Sequence, residues 1–279
     1  MVTSSAPGTL YLVATPIGNL EDITLRALRV LREVPLVAAE DTRTARKLLG
    51  RHGIANRLLS YHDNSPPVRR DRLIAHLLEG KDLALISEAG TPGLSDPGYR
   101  LVRQALDQGI EVVPVPGASA LLPALTASGL PLDRFVFEGF LPARAAARDK
   151  RIYALADEPR TLVFYESPRR LPATLQALAG ILGPGREAAV ARELTKKFEE
   201  FIRGPLSEVR RRLEETGVRG EVVLIVAGAG ERPGVGNPVR EVERLIAEMG
   251  ISRMEAIKLV ARRRGESKSS VYRRVHGGD

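Results

Sequence analysis

The chain has 279 residues, 43% hydrophobic and 27% charged, the balance of a globular protein long enough for about two packed units. It contains no cysteine, which excludes disulfides, a thiolate nucleophile and cysteine-ligated zinc or iron–sulfur centres, and fits a reducing, cytoplasmic setting. Net charge is +8, and residues 251–279 hold eight basic against three acidic side chains, so most of the excess sits in one tail. The uncharged run 112–132 carries Pro114, Pro116, Pro123 and Pro131, which suit a turn and a short helix rather than a membrane span. The N-terminal apolar stretch has no lysine or arginine before it, unlike a secretory signal. A soluble cytoplasmic protein with no membrane partner is expected.

From the N-terminus onward, residues 10–14 (LYLVA), 36–39 (LVAA), 83–86 (LALI) and 111–115 (EVVPV) are short apolar runs of the kind buried in a parallel sheet. Helices alternate with them. Ser65 followed by Pro66 predicts an N-cap and first helical position for a helix over 68–78, and Asp96 followed by Pro97 predicts the same for 99–106. This alternation predicts a first α/β unit over residues 8–116. A second α/β unit is expected over 117–230, with strands at 135–137, 161–165, 188–191, 200–202 and 221–227. Ser167 and Pro168 mark the start of a helix running to about 182, and 206–213 predicts another. Residues 228–238, rich in glycine and proline, read as a linker.

A basic helical tail follows over 239–279. Its first helix, 239–249, is stopped by Gly250. Ser252 caps the second, where Met254, Ile257, Val260 and Ala261 form an apolar stripe. Past Gly265, Ser267 caps a third that carries Val271 and Val275. Three short helices with a glycine turn resemble a helix-turn-helix unit.

Several chemistries are missing their motifs. There is no Walker A sequence, and Pro233 and Pro238 interrupt the helix that a dinucleotide fingerprint would need after Gly228 and Gly230. The run from Gly117 to Leu121 lacks the second glycine of a nucleophile elbow. His52, His62, His76 and His276 are scattered without metal-ligand spacing, so no metal site is expected. The positive signals are loops at strand ends: 15–19 (TPIGN), 40–43 (EDTR), 87–98 (SEAGTPGLSDPG) and 116–120 (PGASA). An open parallel sheet binds ligands beyond the carboxyl ends of its strands. Glycine and small residues let a ligand approach the backbone, while Ser, Thr and Asp supply hydrogen bonds. One such loop is an ordinary strand-to-helix turn, but four converging loops imply a pocket.

The strings 10–20 (LYLVATPIGNL), 38–43 (AAEDTR), 87–98 (SEAGTPGLSDPG), 115–120 (VPGASA), 138–142 (EGFLP), 164–167 (FYES) and 191–196 (ARELTK) resemble the bacterial ribosomal RNA small-subunit methyltransferase I family, of the tetrapyrrole-methylase-fold superfamily. The resemblance runs from about residue 10 to 227, and the basic tail matches it. It implies two α/β domains with S-adenosyl-L-methionine in the cleft between them, followed by a helical, helix-turn-helix-like tail. It also implies a homodimer that methylates the ribose 2′-hydroxyl of a cytidine in small-subunit (16S) ribosomal RNA, free or within the 30S subunit. Carried over motif by motif, the cofactor-binding residues are Pro16, Ile17, Ser87, Ala89, Gly90, Thr91, Ser95, Asp96, Ser119, Ala120, Tyr165 and Leu194. Where the family's long loop has an aspartate after its first serine, this chain has Glu88, which keeps the charge and adds a methylene.

Methyl transfer to a hydroxyl is an in-line displacement, so alignment supplies much of the rate. A ribose hydroxyl is a weak nucleophile, and a general base contributes roughly 10²–10⁴-fold. Asp41, Glu88, Glu166, Glu193 and Lys196 are the candidates. Each has the alternative of an ordinary ion pair, such as Asp41 with Arg43 or Glu166 with Arg169, and Lys196 with Lys197 equally suits a phosphate clamp. For RNA, Arg43, Arg46 and Lys47 follow the EDTR loop, and Arg262, Arg263, Arg264, Arg273 and Arg274 lie in the tail. Aromatic residues are only 4% of the chain, so no extended base-stacking platform is expected. The tail is expected to grip RNA backbone or shape, because deep A-form grooves do not admit a helix as B-DNA does. Two other readings stay open: a tetrapyrrole methylase on the same fold, and a non-enzymatic DNA-binding module joined to a metabolite sensor. The appended basic helices argue against the first, and methyl transfer would exclude the second.

Overall fold

The computed structural model describes residues 6–62, 65–217, 220–229, 238–264 and 266–276. The first layer of structure contains β1 (Leu10–Val13), α1 (Leu25–Glu33), β2 (Val37–Ala39), α2 (Thr42–Arg51), β3 (Leu58–Ser60), α3 (Pro67–Leu78), β4 (Leu83–Ile86), α4 (Tyr99–Asp107) and β5 (Val112–Val115). Its five strands form one sheet in the order β3-β2-β4-β1-β5, with every neighbouring pair parallel. All four residues of β4 are buried, as a central parallel strand requires. Helices cover both faces. Ala27, Val30 and Leu31 of α1, with Ala45 and Leu49 of α2, pack on one side. Leu73, Ile74 and Leu77 of α3, with Leu101 and Ala105 of α4, pack on the other. The three- and four-residue spacing of these positions gives each helix one apolar face. Each fully buried leucine contributes roughly 1.5–3 kcal/mol.

The second layer contains α5 (Leu121–Thr126), β6 (Phe135–Phe140), α6 (Ala145–Ala154), β7 (Thr161–Glu166), α7 (Leu171–Leu182), β8 (Glu187–Arg192), β9 (Glu200–Pro205), α8 (Leu206–Thr216) and β10 (Val222–Val226). The sheet order is β6-β7-β10-β8-β9, with β6 and β7 parallel and the other pairs antiparallel. One face packs on α6, α7 and α8 through Ile152, Leu175, Leu178, Val209 and Leu213. The opposite face, with Val163, Ala189, Ala191, Val223 and Ile225, packs on α5 and on Ile17 from the loop after β1. The two sheets therefore share a core, and the loops of the first lie against the second.

The tail folds as α9 (Pro238–Met249), α10 (Arg253–Arg264) and α11 (Lys268–His276), packed on one another around Val242, Leu245, Ile257, Val260 and Val271. Ser252 and Glu255 form a capping box: the Ser252 hydroxyl accepts from the Glu255 amide at 3.3 Å, and the Glu255 carboxylate accepts from the Ser252 amide at 3.0 Å. Ser267 accepts from the Ser270 amide at 3.2 Å at the head of α11. Most of the expected linker, residues 230–237, and the expected break at Gly265 lie outside the described residues. No helix among the described residues is long and apolar enough to cross a membrane.

The helices expected over 68–78 and 99–106 are present, but all three expected caps differ. The first turn of α3 begins at Pro67 with Pro66 as its cap, while the Ser65 hydroxyl accepts instead from the His62 amide at 2.9 Å. Helix α7 begins at Leu171, because a turn in which Ser167 accepts from the Arg170 amide intervenes. Helix α4 begins at Tyr99 with Gly98 as its cap at φ 149°, a conformation suited to glycine, so Asp96 is not a cap.

Candidate active site

Every strand of the first sheet points its carboxyl end the same way, so the loops after β1, β2, β4 and β5 converge on one edge. They are tied together there. Thr15 and Gly90 exchange backbone hydrogen bonds of 2.9 Å, and the Thr91 hydroxyl donates to the Ala118 carbonyl at 3.2 Å. Against this edge lies the second sheet, and between them opens a cleft of about 640 Å³. That volume is in the range of small-molecule sites. Its walls include Pro16, Ile17, Ala89, Gly90, Thr91, Ser95, Asp96, Ser119, Ala120, Tyr165 and Leu194, all of them expected from the sequence. Ser87 lies just behind the wall, buried, with its hydroxyl reaching the Ala89 carbonyl at 3.3 Å.

Backbone strain gathers around this cleft. The non-glycine residues with left-handed backbone among those described are Ser95 (φ 61°), Glu193 (φ 51°) and Thr195 (φ 65°). Ser95 lines the cleft, and the other two bracket Leu194, which also lines it. Such conformations cost about 1–3 kcal/mol each and persist where the surroundings impose them. Close approach is part of the same design. A Cβ on Gly139 would stand 3.1 Å from the Ser95 hydroxyl, and one on Gly18 would stand 2.5 Å from Cγ of Lys196.

Asp96, Glu40 and Glu88 supply negative charge to the cleft wall. Burial pushes the Asp96 carboxyl up to about 6, with the Glu40 and Glu88 charges adding to the rise and the Ser87 hydrogen bond opposing it. Across the cleft, the Tyr165 phenol is raised by burial, despite its hydrogen bond with Ser119. Two phenylalanines meet Tyr165 edge-on: Phe137 at 5.0 Å and Phe140 at 5.8 Å between ring centroids.

The five candidates for proton transfer separate. Glu88 lines the cleft. Glu166 also borders it, but its carboxylate is fully engaged: it accepts from the Thr174 hydroxyl at 2.7 Å and the Ser167 amide at 2.8 Å. Its ion pair is with Arg170 at 3.3 Å rather than with the expected Arg169. Asp41 caps α2, accepting from the Arg43 amide at 2.7 Å. Its hydrogen bonds with the Arg43 side chain and amide hold the Asp41 carboxyl down at about 2. Glu193 and Lys196 pair with each other at 3.0 Å, and Lys196 also meets Glu221 at 3.5 Å. Burial pulls the Lys196 ammonium down, but those two carboxylates outweigh it and hold it above its ordinary value. Lys196 thus ties Glu193 to Glu221 across the loop. Glu40 and Phe140 line the cleft without having been expected. The signal for Glu40 is its place before Asp41: an aspartate is a favoured N-cap, which leaves the preceding carboxylate for the site.

Of the residues expected to meet RNA, Arg43, Arg46 and Lys47 are exposed on α2, whose Thr44 reaches the cleft. Arg273 and Arg274 are exposed on α11, with Arg274 paired to Glu266. Arg264 departs from expectation. Its guanidinium pairs with Glu241 at 2.9 Å, and both side chains are only 5% exposed, so it joins α10 to α9 inside the tail. The side chains of Arg262 and Arg263 lie outside the described residues.

With this geometry established, the comparisons are specific. The profile of the Tetrapyrrole (Corrin/Porphyrin) Methylases matches residues 9–210. The chain is 48% identical to a Ribosomal RNA small subunit methyltransferase I of Halalkalibacterium halodurans, over 96% of this chain and 95% of that one. It is also 48% identical to the protein of that name from Pseudomonas aeruginosa, over 96% of each. Among solved structures, the uroporphyrin-III C-methyl transferase of Thermus thermophilus, complexed with S-adenosylhomocysteine, matches with a TM-score of 0.55 and 23% identity over 79% of this chain and 97% of that one. That likeness speaks to the fold alone. The chain belongs to the tetrapyrrole methylase family and, within it, to the group of ribosomal RNA small subunit methyltransferases I.

Proposed function

We propose that the chain transfers a methyl group from S-adenosyl-L-methionine to the ribose 2′-hydroxyl of a cytidine in small-subunit ribosomal RNA, in the cytoplasm, as a homodimer. The observation that carries this reading is full-length similarity to relatives of that printed name, in a chain whose cleft suits such a cofactor. The fit rests on chemistry. A sulfonium is cationic, and Glu40, Glu88 and Asp96 present carboxylates to the cleft. Pro16, Ile17, Ala89, Gly90, Thr91, Ser119, Ala120 and Leu194 would hold the cofactor. When bound, it supplies an electrophilic methyl group on a cationic sulfur.

The remaining work falls to this chain's residues. Asp96 accepts the proton as the ribose oxygen takes the methyl group, since a carboxylate poised near neutrality is a better base than one at its ordinary value. Glu40 and Glu88 keep that wall negative. Glu193, Lys196 and Glu221 fix the loop beneath Leu194. Arg43, Arg46, Lys47, Arg273 and Arg274 take phosphates.

The test is incubation with methyl-labelled cofactor and either small ribosomal subunits or protein-free ribosomal RNA, both from cells lacking the modification. Label in RNA that leaves the adjacent phosphodiester resistant to alkali supports the reading and identifies the substrate state. Label on a base would overturn the hydroxyl assignment. No label, from protein that binds the cofactor, would return the choice to a tetrapyrrole substrate or a sensor. Sedimentation at several concentrations checks the homodimer.

A further inference from the structure

A bulge in β6 turns one aromatic ring into the cleft. Phe137 pairs with Val163 across β7, but the next paired residue is Gly139, opposite Phe164, followed by Phe140 opposite Tyr165. Val163 and Tyr165 lie on one face of β7, so the extra residue places Phe137 and Phe140 on that same face. Without the bulge, strict alternation would send Phe140 to the helix-covered side. Gly139 permits the turn with φ 62°. The result is a row of three rings, with Tyr165 meeting Phe137 and Phe140 edge-on.

Phe140 is the exposed member of that row. It lines the cleft yet is 54% exposed, and its counterpart from the first layer, Leu20, lines the cleft at 43%. By contrast, Ile17 and Leu194 on the inner wall are 8% and 7% exposed. The inner wall suits the cofactor, and the ring at the mouth faces whatever enters second. The 2′-hydroxyl of a stacked nucleotide lies in the wide, shallow minor groove, and it enters a cleft walled by two sheets most directly when the nucleotide leaves its stack. An exposed aromatic ring at the mouth restores the lost stacking.

We propose that Phe140 is the stacking surface for the base of the target nucleotide, which enters the cleft extruded from its RNA stack. This rests on the ribosomal RNA reading above. It is compatible with the low aromatic content, since one base needs one ring.

The experiment compares wild type with Phe140→Ala, Phe140→Leu and Phe140→Trp, using small ribosomal subunits and labelled cofactor, with cofactor affinity measured separately by calorimetry. Losing one base–aromatic stack corresponds to about 5- to 150-fold. The expected result is a loss of that size in kcat/KM for Ala and Leu, near-wild-type activity for Trp, and unchanged cofactor affinity in all three. Leu keeps the bulk and removes the ring, so the Leu–Trp pair carries the test even if Ala fails to fold. Leu within about twofold of wild type, Trp as impaired as Ala, or a loss that tracks cofactor affinity would each overturn the assignment. Wild-type protein that methylates no RNA would sink the ribosomal RNA reading itself, and this inference with it.

Discussion

Asp96 links charge, stability and rate at a single position. Its native carboxyl holds a proton up to about pH 6, whereas the unfolded side chain releases it near the ordinary 3.8. Between those values the native state binds more protons than the unfolded one, so stability falls as pH rises through that window and stays lower above it. Asp96→Asn is expected to raise the melting temperature more at about pH 7.5 than at about pH 4, where both side chains are neutral. The same substitution should abolish methyl transfer even at saturating cofactor, while the loss of one of the three carboxylates that face the sulfonium weakens cofactor binding. In the proposed reaction the ionised form is the base, so the rate should fall as Asp96 takes up its proton, at a pH below about 6 because the bound sulfonium favours the carboxylate. An Asp96→Asn variant that keeps wild-type kcat would remove Asp96 from proton transfer. Glu166 makes the opposite case. With its side chain 1% exposed and bonded to Thr174, Ser167 and Arg170, it supports structure. Glu166→Ala strands those donors and should cost roughly 2–4 kcal/mol in chemical denaturation, Arg170 being partly hydrated.

At the scale of elements, loops hold the site and glycines let them meet. A Cβ on Gly18 would stand 2.8 Å from the Thr195 hydroxyl and 3.0 Å from the Leu194 carbonyl, as well as against Lys196. Gly18→Ala therefore pushes the strained loop outward. It should weaken cofactor affinity by about tenfold while costing about 1–3 kcal/mol of stability, which calorimetry and denaturation would separate. In the tail, Glu241→Ala leaves the Arg264 guanidinium buried without that carboxylate. Breaking a buried pair typically costs about 3–5 kcal/mol, so α9 to α11 should become protease-sensitive while the two sheets keep their protection.

These elements also explain what the sequence disclosed. The parallel strands were legible because LALI and its neighbours are uniformly apolar, and the cleft loops because glycine, serine and threonine cluster where those strands end. The three-residue edge strand β3 carries too little pattern to stand out. Asp96-Pro97 looks like a helix start by local propensity, but tertiary structure assigns Asp96 to the cleft and gives the cap to Gly98. Phe140 lies in the EGFLP string that carries the family resemblance, but its place in the cleft was hidden because a bulge reverses strand parity, with Gly139 as the local sign of it.

On the scale of the molecule, the cations expected to meet RNA stand on two surfaces. Arg43, Arg46 and Lys47 stand on α2 beside the cleft, and Arg273 and Arg274 stand on α11 in the tail. A single long RNA engaged by both surfaces is bound more tightly than by either, since holding one raises the effective concentration at the other. Each phosphate contact adds about 0.7–0.9 to the slope of log affinity against log salt. Arg273→Gln with Arg274→Gln should therefore flatten that slope by about 1–2, and Arg43→Gln with Lys47→Gln should do the same. Both double variants should bind the cofactor as wild type does. Combining all four should lower RNA affinity by more than either pair alone, at a salt concentration where wild type binds measurably. An unchanged salt slope in the tail variant, with the tail still folded by circular dichroism, would mean that α11 meets no phosphate, and the cleft-side cations would then carry the RNA alone.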